Sequence, residues 1–187
     1  MQFDQEYRST STRREVIAGL ALGLSSTVAA GSARREPAAG ISHNMESIHH
    51  EVTFKASPER LYALLINAAE FQQVVLRSDA VKTGMVKDPP PAQISSVEGG
   101  TFATFGGYIT GRQIELVPNV RIVQAWRTGT WDPGIFSIAR FALTQSANGT
   151  LLTFDHTGFP RGEAAHLAQG WRSNYWAPLQ ILSSTSG

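Results

Sequence analysis

A chain of 187 residues, 42% hydrophobic and 17% charged, holds enough apolar side chains for one domain with a sizeable core plus an appendage, and is too short for two such domains. Its formal charge of +1, with the basic residues scattered, excludes nucleic acid and an anionic membrane surface as expected partners. The absence of cysteine also excludes disulfides, thiolate catalysis and cysteine-based metal sites.

Thr12, Arg13 and Arg14 precede an uncharged run over residues 16–30 that ends in Val28, Ala29 and Ala30. A basic start, an apolar centre and a small-residue finish make a signal-peptide layout. The paired arginines and the Gly- and Ala-containing centre resemble a bacterial twin-arginine signal. The expectation is a signal over residues 1–33, cleaved after Ala30 or Ala33. It would be read by the twin-arginine export machinery through Arg13 and Arg14, leaving a periplasmic or extracellular protein. The alternative is an uncleaved membrane anchor, which the shortness of the run and its Gly, Ser and Thr content disfavour. Residues 34–44 lack periodicity and read as a flexible tether, and the folded domain is expected over residues 45–187.

Over residues 46–55 apolar and polar side chains alternate. Ile48, His50, Val52 and Phe54 share one face and His49, Glu51, Thr53 and Lys55 the other, which predicts a strand with one buried side. Ser57, Pro58 and Glu59 supply an N-cap, a first-turn proline and an acidic first turn, so a helix carrying Leu61, Leu64 and Leu65 should follow. A second short helix is expected over residues 68–76. Three consecutive prolines, Pro89 to Pro91, end a segment from Lys82 that is expected to be an exposed loop. Turn signals at Gly99-Gly100, Gly106-Gly107, Pro118-Asn119, Asp132-Pro133-Gly134 and Asn148-Gly149 then separate strands over 92–97, 101–105, 108–117, 121–128, 137–145 and 150–157. The last strand should turn through Gly158 and Pro160 into a long helix over residues 163–183. That helix has Leu167, Trp171, Asn174, Pro178 and Leu182 along one stripe and Tyr175 and Leu179 beside it. Pro178, lacking an amide, predicts a kink. The layout is α+β: a curved antiparallel sheet of six to seven strands around a long C-terminal helix, with two short helices after the first strand.

Three stretches carry a family resemblance: FKASPERLYALL (54–65), GGTFATFGGYITGRQIELVPNVRIVQAWR (99–127), and LLTFDHTGFP (151–160) with HLAQGWRSNYWAPL (166–179). They resemble the helix-grip (SRPBCC) superfamily of START domains, polyketide cyclases and the birch-pollen allergen, and within it the branch named after the activator homologue of the heat-shock protein 90 ATPase. The resemblance implies a ligand cavity between sheet and terminal helix. The proline-rich connection over 81–91 is longer than that pattern and is expected to alter the cavity mouth. An export signal argues against the co-chaperone role in the branch's name, because an ATP-driven chaperone is not expected outside the cytoplasm.

Leu152, Phe154 and His156 should face the terminal helix. His156 reads first as a core histidine bonded to a neighbouring hydroxyl or backbone group; a ligand contact or a general base is the alternative. Trp171 and Tyr175 on the helix read equally as cavity lining and as core, with Tyr108, Trp126 and Phe136 nearby and Trp131 at the rim or as a surface cap. Arg112 and Glu115, oddly spaced on one strand, should point to opposite faces, and Arg127 and Arg140 read as partners in surface ion pairs. His49 and His50 on opposite faces, with His43 in the tether, make a metal site unexpected, and no glycine pair precedes a helix as a nucleotide phosphate loop would require, so no cofactor is expected. The leading expectation is an exported protein that binds a small apolar or amphipathic molecule through Tyr108, Trp126, Phe136, Phe154, His156, Trp171 and Tyr175. Two alternatives stand beside it. One is a cyclase, isomerase or hydrolase with His156 as acid/base and Tyr108 or Tyr175 as hydrogen-bond donor. The other is a protein-interaction or co-chaperone-like module.

Overall fold

The computed structural model describes residues 45–184; the expected signal, with Arg13 and Arg14, and the tether with His43 lie outside the described residues. The first strand, β1 (Met45–Phe54), buries His50 and Phe54 and half-buries Ile48 and Val52, as the alternation requires. Helix α1 (Pro58–Ile66) starts on Ser57, whose Oγ accepts the Arg60 amide at 3.2 Å. Helix α2 (Ala68–Leu76) starts on Asn67, whose Oδ1 accepts the amides of Ala69 and Glu70. A third short helix, α3 (Asp79–Lys82), joins the two expected ones; Ser78 Oγ caps it by accepting the Val81 amide. Such caps satisfy donors that the first helical turn leaves unpaired.

The remaining strands are β2 (Gln93–Ile94), β3 (Thr101–Thr104), β4 (Ile109–Val117), β5 (Arg121–Thr128), β6 (Ser137–Ser146) and β7 (Gly149–Pro160). All seven form one antiparallel sheet in the order β1-β7-β6-β5-β4-β3-β2, so the crossover through α1, α2 and α3 carries the chain from one edge to the other. The strand expected over 92–97 shrinks to two residues. Residues 95–100 fold back instead, with Gly99 at φ 78° and the Gly100 amide bonded to Val97 O. Nor does the last strand turn at Gly158. That residue, at φ 77°, is a bulge between Thr157 and Phe159 opposite the step from Ser47 to Glu46, and β7 runs on to Pro160. A second bulge, at Ile114 in β4, corrects the reading of Arg112 and Glu115. It skips one residue, so both face outward opposite Ala125 and Val123, and Glu115 forms a bidentate pair with Arg121 at 2.6 and 2.7 Å.

The terminal helix comprises α4 (Ala164–Trp171), one π turn (Arg172–Trp176) and α5 (Ala177–Ser184). Glu46 caps its start from β1, accepting the Ala164 amide on Oε2 at 3.0 Å. The irregularity expected at Pro178 sits one turn earlier: the widened turn places Pro178 second in α5, where a missing amide breaks less of the ladder. The extra residue also brings Tyr175 and Trp176 inward together, so the buried stripe is Leu167, Trp171, Tyr175, Trp176, Pro178, Leu179 and Ser183, with the expected Asn174 and Leu182 half-buried beside it. Against it pack Phe54, Leu61, Leu64, Phe141, Leu152, Phe154 and Phe159, none more than 2% exposed.

Candidate functional site

Two tryptophans fasten the terminal helix to the sheet. Trp171 Nε1–H donates to His156 Nδ1 at 3.0 Å, and Trp176 Nε1–H donates to His50 Nδ1 at 2.9 Å. An indole only donates, so each Nδ1 must be unprotonated, and the neutral ring carries its hydrogen on Nε2. His156 Nε2–H then donates to Ser137 Oγ at 2.6 Å, and Ser137 Oγ–H donates to Trp126 O at 3.0 Å. A protonated imidazole would set two hydrogens against each other at Trp171. Burial pushes the His156 pKa from 6.5 down to about 3, and burial, then Arg172 and His49, lowers that of His50.

Beyond this core, between the terminal helix and the β3–β5 end of the sheet, lies a cavity of about 820 Å³. Its inner walls are the buried Phe105, Trp126, Trp171 and Tyr175; toward solvent come Tyr108, Met85, Val86, Pro89 and Pro90, with Lys87 and His166 the exposed charged or titratable side chains. The connection after α3 thus forms one wall of the mouth. Phe105 holds φ 51°, a sparsely populated conformation for a bulky residue, between Phe71 and Tyr175, whose ring centroids lie 6.3 and 5.5 Å away.

The structure brings Tyr108, Trp126, Trp171 and Tyr175 onto this cavity and leaves Phe136, Phe154 and His156 off its walls. Phe136 is 48% exposed: Ser137, next to it in the alternation, points inward, so Phe136 points out, where the Arg127 guanidinium lies 5.7 Å from its ring centre. Phe154 is wholly buried, 4.4 Å from the Trp171 ring and 4.9 Å from Phe141. His156 is wholly buried with both ring nitrogens engaged, which matches the core-histidine reading and removes the general base from reach of a cavity molecule. Trp131 is no rim residue but a 7% exposed packing partner of Trp126. Arg140 pairs with Asp155 at 3.2 Å, whereas Arg127 donates to Trp131 O at 2.6 Å and meets no carboxylate among the described residues. Among the described residues no three His, Cys, Asp or Glu side chains are grouped to hold a metal.

Gly170 and Phe105 line the cavity and Thr104 lies behind Tyr175, yet none of the three is among the expected site residues. The first had a visible signal, a glycine inside a helical pattern, which weakens the helix and implies a use for the missing side chain. A Cβ there would meet only Asn174 Nδ2, at 4.0 Å, so the glycine leaves its space to the cavity.

A family model described as "Activator of Hsp90 ATPase homolog 1-like protein" matches residues 55–183. The chain is 30% identical over 156 residues to the uncharacterized protein C1711.08 of Schizosaccharomyces pombe, covering 83% of this chain and 43% of that protein. It is 28% identical over 128 residues to the human activator of 90 kDa heat shock protein ATPase homolog 1, covering 68% of this chain and 34% of the relative. The chain therefore spans less than half the length of these curated relatives. Among solved structures, PFC0360w, an HSP90 activator from Plasmodium falciparum, superposes with a TM-score of 0.59 at 20% identity, over 74% of this chain and 94% of that one. A likeness at that identity establishes the fold.

Proposed function

The chain belongs to the Activator of Hsp90 ATPase homolog 1-like family, and on that footing we propose that its domain binds a small apolar or amphipathic molecule between sheet and terminal helix. The observation that carries this reading is the cavity. At about 820 Å³ it falls within the roughly 300–1,000 Å³ of small-molecule sites. Its inner walls are aromatic, its outer end carries Lys87 and His166, and Gly170 leaves the space of a side chain to it at a cost in helix propensity. Nile red titrated into the full chain should bind saturably at one site, and native mass spectrometry of protein from its own host should show a co-purifying mass. Absence of both would sink the reading. The enzyme alternative with His156 as acid/base has no support from the geometry, since that ring is sealed in the core.

A second reading, a protein-interaction module, draws on the relatives named as heat-shock ATPase activators and on apolar side chains exposed at the mouth, with Met85 at 77% and Tyr108 at 40%. The full chain should then alter the turnover of a purified Hsp90-class ATPase, and unchanged turnover at saturating protein removes it. We also propose that residues 1–33 direct export. Arg13 and Arg14 ahead of an uncharged run support this. A bacterial reporter fused to residues 1–33 should be exported, and export should stop in the Arg13→Lys, Arg14→Lys double variant.

A further inference from the structure

Three polar groups meet at the inner wall of the cavity: Trp126 and Tyr175 line it, and Thr104 lies behind Tyr175, off the cavity wall. Among the described residues neither Trp126 Nε1 nor Thr104 Oγ1 has a hydrogen-bond partner, although both atoms are buried in residues 3% exposed. The Tyr175 hydroxyl lies beside both; burial pushes its pKa up, and these two neighbours offset part of that rise. Together they bring three polar hydrogens, from an indole N–H and two hydroxyls. Even counted as full hydrogen bonds, the approaches of Trp126 and Thr104 to the Tyr175 hydroxyl would consume at most two of them. One hydrogen is left with no protein acceptor, and a buried donor left unserved is costly. Trp126 and Tyr175 both line the cavity, so an acceptor can reach them from its interior.

The chemistry of that acceptor is narrowed by charge. No ionised side chain lines the inner end; Lys87 and His166 sit at the exposed end. A carboxylate or phosphate placed against Tyr175 would be desolvated with no cation beside it. A neutral oxygen carries no such penalty, and the surrounding rings of Phe105, Trp126 and Trp171 suit a flat apolar body. Resting on the small-molecule reading above, we infer that Trp126, Tyr175 and Thr104 form a polar receiver for a neutral carbonyl oxygen of a flat, otherwise apolar ligand.

The test compares 9-fluorenone with fluorene, which differ in that carbonyl alone, each displacing Nile red from the full chain. Because fluorene also leaves water more readily, the readout is the fluorenone-to-fluorene affinity ratio in wild type and in Trp126→Phe, Tyr175→Phe and Thr104→Val, each checked for native near-ultraviolet circular dichroism. The ratio is expected to fall about 10-fold in Tyr175→Phe and Trp126→Phe, the size of one hydrogen bond, and less in Thr104→Val. An unchanged ratio in natively folded variants overturns the receiver while leaving the cavity reading standing, and means that solvent serves these atoms. Failure of Nile red and both probes to bind the wild type overturns the cavity reading and the receiver with it.

Discussion

Lowering the pH from 7 to 5 should cost the domain about 2 kcal/mol through His156 alone. The folded ring stays neutral to about pH 3, held there by burial, and a proton on Nδ1 would also oppose the indole hydrogen of Trp171. In the unfolded chain the same imidazole takes up a proton as the pH falls through its ordinary value of 6.5. Below that point the unfolded state binds more protons, so stability is complete above about pH 6.5 and declines with falling pH until the folded pKa is reached. From 6.5 to 5 is 1.5 pH units, and each is worth about 1.36 kcal/mol, hence the figure of about 2 kcal/mol. At a urea m-value of about 2 kcal/mol per M, the unfolding midpoint should drop by about 1 M. The assay is urea unfolding of the full chain at both pH values and equal ionic strength, alongside His156→Gln, which keeps a polar side chain but does not titrate in this range. The variant is expected to be less stable at pH 7 yet to lose much less between pH 7 and 5, the remainder coming from His50, whose pKa is lowered in the same direction. Equal losses in wild type and variant would refute the account of His156 as a buried neutral acceptor.

Gly170→Ala should stabilise the domain by about 0.5–1 kcal/mol, because the new Cβ enters open space within α4, and thermal unfolding reads the gain. Gly170→Leu should keep the fold and weaken Nile red binding, since its side chain takes cavity volume; unweakened binding would place the probe elsewhere. Gly111→Ala should destabilise by about 1–3 kcal/mol in urea unfolding, since its Cβ would stand 2.1 Å from Ala125 O and 2.3 Å from the Phe102 ring and the strands must part. Ser57→Ala should cost about 1 kcal/mol by leaving the Arg60 amide uncapped, while Ser57→Asp should not.

Most of the elements were legible because their causes are local. Alternation at Ile48, His50, Val52 and Phe54 specifies which side of β1 is wet, and Ser57-Pro58-Glu59 specifies where α1 begins. The misread positions share a different property. Ile114 and Gly158 are bulges, whose extra residue is defined only against a partner strand. The end of β2 depends on a fold-back held by Gly100 and Val97. The α4 cap, Glu46, comes from the other end of the domain. Phe136 stands among the expected cavity residues because it is aromatic, although period-two alternation from Ser137 already places it outside.

What the sequence determined by itself is the container: strand count, the starts of α1 and α2, the inward His156 and a gripped helix rich in aromatic residues, all set by periodicities and caps that act over a few residues. What the tertiary structure alone decided is how the inward residues divide between core and cavity. Phe154 and His156 on β7 and Trp171 and Tyr175 on the helix carry the same apolar pattern, and pattern cannot distinguish contact with protein from contact with empty space. That division follows from the π turn that brings Tyr175 inward beside Trp176, from the missing side chain at Gly170 and from the proline-rich connection over the mouth. Each acts by setting distances between segments far apart in the chain.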